Sequence, residues 1–160
     1  VAFIGGAQID KFGNINSTGV GDWAKKESFT YFAGSGGAND MATSGKRVLA
    51  IMPQDKKKFV EKVDYCTTPG YLSGPGEREK LGMIGGGPDC VVSTMGVYRF
   101  DEDTKEMYLA EFFPGQTVEK IKAACAWDLK VSPNVIETPA PTEQEIAIIR
   151  GIDPTNFYLG

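Results

Sequence analysis

The chain contains no histidine in its 160 residues, which excludes Ser-His-Asp and Cys-His nucleophilic catalysis together with every His-containing metal site. Any chemistry must run on carboxylates, side-chain amides or the backbone. Cysteine is scarce: Cys66, Cys90 and Cys125 lie far apart with no CxxC pair, which removes zinc-ribbon and thioredoxin-type readings. Three dispersed thiols read as small hydrophobes in a reducing, cytoplasmic setting. Long apolar runs are missing too. Nothing approaches the roughly 18 residues of a membrane span, and no charged-then-apolar leader opens the sequence. Positive charge is also lacking: 17 Lys+Arg against 21 Asp+Glu leave a formal charge of −4, which argues against nucleic acid or an anionic membrane as partner. No internal repeat or low-complexity segment is found.

What is present is ordinary globular material. With 41 % hydrophobic and 24 % charged residues, 160 residues suffice for one domain or part of one. Glycine is the abundant residue, at 20, and it clusters at Gly5-Gly6, at residues 34–37 and at residues 82–87. Such clusters mark sharp turns or close backbone approach.

Val1-Ala2-Phe3-Ile4 is a continuous apolar run stopped by Gly5-Gly6, the pattern of a strand buried on both faces. A buried strand at the first residue, without Met, leads us to expect a fragment or processed product. Residues 8–32 lack helical periodicity and read as short extended pieces around a turn at Lys11-Phe12-Gly13-Asn14. Residues 38–44 suit a short helix, and Arg47-Val48-Leu49-Ala50-Ile51-Met52 a strand ended by Pro53. The alternation in Phe59-Val60-Glu61-Lys62-Val63 predicts an exposed or edge strand. Residues 90–93 and 96–100 read as strands, the second turning through residues 101–105 into a hairpin with 107–110. Thr117 is an expected N-cap for a helix presenting Val118, Ile121 and Cys125 on one face. Residues 134–141 read as an extended Pro-rich connector. Thr142-Glu143-Gln144-Glu145 forms a capping box for a helix closed by Gly151. The class is α/β.

Gly34-Ser35-Gly36-Gly37-Ala38-Asn39-Asp40 is the most informative stretch, because a glycine run entering a helix presents bare N–H groups to an oxyanion or phosphate. Its spacing fits neither Walker A nor GxGxxG, and a plain turn explains it equally well. Gln8 and Asp10 sit just past the carboxyl end of the first strand, where ligands bind in open α/β sheets; an amide donor and a turn-former are the two readings. Lys56-Lys57-Lys58, with Arg47 and Lys62, reads as a solvated face rather than a phosphate site. Trp23, Tyr31 and Phe32 read as core or interface packing ahead of pocket lining.

Taken in order, Gly5-Gly6-Ala7-Gln8-Ile9-Asp10, Phe12-Gly13-Asn14-Ile15-Asn16, the glycine stretch above, Phe59-Val60-Glu61-Lys62-Val63-Asp64 and Thr68-Pro69-Gly70-Tyr71 resemble the β subunit of class I coenzyme A transferases, in the glutaconate CoA-transferase branch. Gly86-Gly87-Pro88, Phe100-Asp101, Pro114-Gly115-Gln116-Thr117-Val118-Glu119 and Ile152-Asp153-Pro154 continue the pattern over nearly the whole chain. The resemblance implies a CoA-transferase-type open α/β sheet with flanking helices and a β-hairpin, residues 1–160 being the C-terminal portion of a single β-subunit domain. It implies an enzyme that moves coenzyme A between an acyl-CoA and a carboxylic acid through a glutamyl-CoA thioester. No permanently bound cofactor or metal is implied; the CoA thioester is substrate. The implied partners are an α subunit and the N-terminal β-subunit segment.

By position, the backbone of Gly36 and Gly37 matches the family's oxyanion segment. Gly6, Gln8, Gly34, Ser35 and Asn39 match its substrate and CoA-binding surface, Gln8 as the amide beside the acyl or pantetheine pocket. The family's nucleophilic Glu stands in a Glu-x-Gly motif upstream of Gly5-Gly6, and none of Glu27, Glu61, Glu77 or Glu79 matches it. The same fold carries a decarboxylase and a steroid-ring hydrolase, so fold alone does not fix the reaction, and the alternatives to transfer are CoA-thioester hydrolysis, decarboxylation, or a non-catalytic fragment that needs a partner chain and is inactive by itself.

Overall fold

The computed structural model describes residues 1–158. In chain order these form β1 (Ala2–Ile4), β2 (Gln8–Ile9), β3 (Ile15–Asn16), β4 (Gly19–Val20), a 3-10 turn (Lys26–Ser28), β5 (Thr30–Tyr31), α1 (Ala38–Ser44), β6 (Val48–Met52), α2 (Glu77–Lys80) and β7 (Pro88–Ser93). There follow β8 (Gly96–Phe100), β9 (Met107–Phe112), α3 (Val118–Ala123), β10 (Lys130–Glu137) and α4 (Glu143–Ile152). Strands β1-β6-β7-β8-β9-β10 make one mixed sheet in that spatial order. The β1, β6 and β7 strands run parallel, β7-β8-β9 are antiparallel, and β10 returns parallel to β9. The expected α/β class and the β8-β9 hairpin are both present. Two small antiparallel ribbons, β2-β3 and β4-β5, account for the non-helical stretch at 8–32.

Alternation in β6 places Val48, Ala50 and Met52 in the core with Ile4, Val91, Tyr98 and Leu109. Helix α3 and the turn after it close this face with Ile121, Cys125 and Leu129. Phe59 is fully buried, tilted against Tyr98 at 5.6 Å and stacked on Trp127 at 5.9 Å. A buried amide is built into this core: Gln54 Oε1 accepts from the hydroxyls of Ser93 and Tyr98, while its Nε2 donates to Ile121 O at 3.3 Å. Burial pushes the Tyr98 hydroxyl well above its usual range, so it stays a donor there.

Four expectations are corrected. β1 is an edge strand with one neighbour, and Phe3 is 67 % exposed although Ile4 is buried, so the first strand is not covered on both faces. Residues 59–63 form no strand: Asp55 Oδ1 accepts from the N–H groups of Lys57 and Lys58 in a turn, and Phe59 makes only an isolated bridge to Ile9. Residues 130–137 are β10 rather than a connector. Pro133 is tolerated because β10 is an edge strand whose register shifts between Val131 and Ile136. The Thr117 cap and the Thr142 capping box form as expected, but Gly151 lies within α4 and Asp153 is its C-cap.

Candidate functional site

Parallel strands β1 and β6 end at Ile4 and Met52, and the chain leaves β1 through Gly5-Gly6. Gly6 is glycine for packing: a Cβ there would overlap Ile15 Cγ2 and stand 3.1 Å from Asn16 O. That close approach seats β2 against β3 and brings Gln8 opposite Asn16. Gln8 is 6 % exposed, and its Oε1 accepts from Asn16 Nδ2 at 2.8 Å and from the Asp64 N–H at 3.0 Å. Its Nε2 meets no acceptor among the described residues and is not sealed from solvent.

Asn16 is the hub of the network. Fully buried, it also donates to Gly19 O at 2.7 Å and accepts at Oδ1 from the N–H groups of Thr18 and Gly19. Thr67 continues the chain of contacts: its Oγ1 accepts from the Ser17 N–H at 2.9 Å and lies 2.8 Å from Thr18 Oγ1. Its carbonyl accepts from Asn39 Nδ2 at 3.0 Å, which fastens α1 to this segment. Ser17 O in turn accepts from the Gly34 N–H at 3.0 Å. Gln8 is thus joined to the distant stretch of the glycine loop and Asn39 through Asn16, Ser17 and Thr67.

The loop itself is open. Gly34 (φ 90°) and Gly36 (φ 50°) occupy the left-handed region, and a Cβ on either would meet nothing within 4 Å. Gly37 is the N-cap of α1. The Ala38 N–H is taken by Ser35 O at 2.9 Å, and Ser35 Oγ donates to Gly36 O at 3.0 Å. The N–H groups of Ser35, Gly36 and Gly37 have no acceptor among the described residues. Three consecutive free donors on an open loop are suited to an anionic oxygen.

Asp10 is the turn anchor: buried, it accepts from the N–H groups of Phe12 and Asn14 and from Asn14 Nδ2. Burial pushes its carboxyl above the ordinary value against these lowering contacts. Arg47 pairs with Asp89 at 2.7 Å and Lys58 with Asp55 at 2.8 Å, so the basic residues read as a solvated face do not converge. Trp23, Tyr31 and Phe32 are exposed, which corrects core packing. Desolvation raises all three thiols, Cys66 to about 11 and Cys125 to about 12, leaving no thiolate nucleophile at neutral pH. From the sequence Thr67 carries no signal, and Asn16 and Asp64 stand in family motifs without a role assigned to either.

The sequence and the fold both match a known family. The family model described as Coenzyme A transferase covers residues 1–124. The B subunit of glutaconate CoA-transferase from Acidaminococcus fermentans is 45 % identical over 161 residues, spanning 99 % of this chain and 59 % of that protein. The B subunit of 3-oxoadipate CoA-transferase from Pseudomonas knackmussii is 35 % identical over 153 residues, 96 % of this chain and 58 % of the relative. The crystal structure of glutaconate coenzyme A-transferase from Acidaminococcus fermentans superposes with a TM-score of 0.90 at 43 % identity, covering 99 % of this chain and 60 % of that one. The chain belongs to the coenzyme A transferase family. Within it the chain is similar to B subunits, and it spans about three-fifths of their length. No helix of the described residues is long and apolar enough to cross a membrane.

Proposed function

We propose that this chain supplies the oxyanion loop and an amide donor to a CoA transferase that moves coenzyme A between an acyl-CoA and a carboxylic acid. The observation that carries the reading is the set of free N–H groups at Ser35, Gly36 and Gly37, on a loop joined by the Gly34 N–H to Ser17, whose neighbour Asn16 holds Gln8. When a carboxylate oxygen attacks a thioester carbonyl carbon, the carbonyl π pair moves onto oxygen. Donors fixed beforehand on that oxygen lower the barrier because they need not reorganise. Gly36 and Gly37 are the donors we assign. Gly34 and Ser35 shape the loop, Asn39 holds α1 in register, and Gly6 lets β2 approach β3.

The nucleophilic glutamate that carries the glutamyl-CoA thioester lies outside these residues. None of Glu27, Glu61, Glu77 or Glu79 stands in the Glu-x-Gly motif that the resemblance assigns to the nucleophile. An α subunit and an N-terminal β-subunit segment complete the site. The test is an assay of the full-length subunit assembled with its partner, given an acyl-CoA and a second carboxylic acid. Transfer of CoA to the acceptor acid, stoichiometric with release of the first acid, is expected. Free CoA appearing without any acceptor would replace transfer by hydrolysis.

A further inference from the structure

We infer that Asn16 is a positioning residue whose side-chain amide fixes Gln8 with its Nε2 as a donor toward a ligand oxygen. The inference rests on the reading of this site as a CoA-thioester site. The orientation of Gln8 is settled by chemistry, since the Asp64 backbone N–H can only donate, and the Gln8 atom it meets at 3.0 Å must therefore be the carbonyl oxygen. The orientation of Asn16 is settled separately. Its Oδ1 meets the N–H groups of Thr18 at 3.0 Å and Gly19 at 3.2 Å, and its Nδ2 meets Gly19 O at 2.7 Å. The two assignments agree at the point of contact, where Asn16 Nδ2 donates to Gln8 Oε1 at 2.8 Å.

Two donors on one oxygen leave Gln8 no inward use for its NH2 group. That group has no protein acceptor among the described residues and is still open to solvent, in a residue only 6 % exposed. A nearly buried amide with a single free end, pointed by neighbours that fill its other end, suits an uncharged carbonyl or a carboxylate oxygen of the acyl or pantetheine chain. Asn16 touches no ligand itself in this arrangement. It acts through Gln8.

The experiment uses the full-length subunit assembled with its partner. Gln8→Glu keeps an oxygen for Asn16 and Asp64 but replaces the free donor by an acceptor, so kcat/KM should fall on the order of 10²-fold with little change in melting temperature. It should recover as the pH drops through the carboxyl pKa, because the protonated acid donates again; the wild type should show no such rise. Asn16→Asp replaces the donation to Gln8 Oε1 by a carboxylate facing that oxygen, while the Asp64 N–H still holds it, so the Gln8 amide should be pushed out of position, with a comparable loss. Should the buried carboxylate of that variant prevent folding, Asn16→Ser removes the same donor without charge and should lose about 10-fold. In a Gln8→Met background either Asn16 substitution should cost nothing further in kcat/KM.

Losses that instead add in full would overturn the positioning role and leave Asn16 a purely structural residue. Unchanged kcat/KM in both Gln8→Glu and Gln8→Met would overturn the donor role of Gln8 and, with it, the positioning role. A wild-type assembly that hydrolyses acyl-CoA but transfers none would overturn the proposed transfer; there, the same variants read on hydrolysis decide the positioning role separately.

Discussion

The Arg78 guanidinium donates to the carbonyl of Ala42, inside α1, at 2.8 Å. From the same buried side chain, 3 % exposed, it also reaches Gly70 O at 2.9 Å, Gly85 O at 3.2 Å and Pro69 O at 3.3 Å. One planar fork of donors thus ties the helix behind the glycine loop to the loops at Pro69-Gly70 and at Gly85. Burial lowers the guanidinium pKa from its ordinary value without making it titratable in the working range.

Replacing Arg78 by Met should destabilise the protein by about 3 kcal/mol, since several carbonyls lose their donors together. Arg78→Lys should recover part of this, because an ammonium offers three donors from one point and cannot span α1 and both loops. Urea unfolding of the three proteins checks the order wild type, Lys, Met. A Met variant within about 0.5 kcal/mol of wild type would mean that water replaces the guanidinium and that Arg78 is no clamp.

Gly36 and Gly6 are both glycines of the candidate site, yet for opposite reasons, and substitutions should separate them. At Gly36 a side chain meets open space but has to adopt φ 50°, so Gly36→Val should cost only about 1–2 kcal/mol of stability while turnover falls about 10²-fold or more. At Gly6 the backbone conformation is permissive but Ile15 Cγ2 occupies the place of a Cβ, so Gly6→Ala should lose about 1–3 kcal/mol of stability. Thermal melts and turnover measured on both variants decide the matter. Unchanged turnover in Gly36→Val would reduce the loop to a turn.

The parts legible in the sequence are those set by neighbours along the chain. Thr117 caps α3 by accepting from the Lys120 N–H, and Thr142 and Glu145 satisfy each other, both across three residues. The glycine loop and Gln8 were legible because unusual backbone needs glycine and because their order along the chain follows a family pattern. What escaped depends on distant partners. β10 exists because β9 offers an edge, which outweighs the reluctance of Pro133. Phe59 reads as a strand residue but is claimed by Trp127 and Tyr98 from the other side of the core. The link from Thr67 to Ser17 spans 50 residues, so no local pattern could announce it.

The thiols provide a test of the site's surroundings that needs no substrate. Cys66 is an exposed residue, yet desolvation raises its thiol from 9.0 to about 11, with the Asp10 carboxylate pushing the same way. Since each pKa unit is tenfold in thiolate, its thiolate fraction at pH 8 is lower than that of an ordinary cysteine by about 10²-fold. The greater nucleophilicity of a more basic thiolate restores about tenfold, so iodoacetamide should label Cys66 about 10-fold more slowly than a free cysteine. The rate should climb about tenfold per pH unit up to pH 10, the sign expected of an acid held protonated. Cys125, buried and raised to about 12, should label only on unfolding. Peptide mass spectrometry against the urea-unfolded chain supplies the comparison, and labelling of native Cys66 at the unfolded rate would show that its thiol is solvated and that the segment from Tyr65 to Thr67 is not held as described.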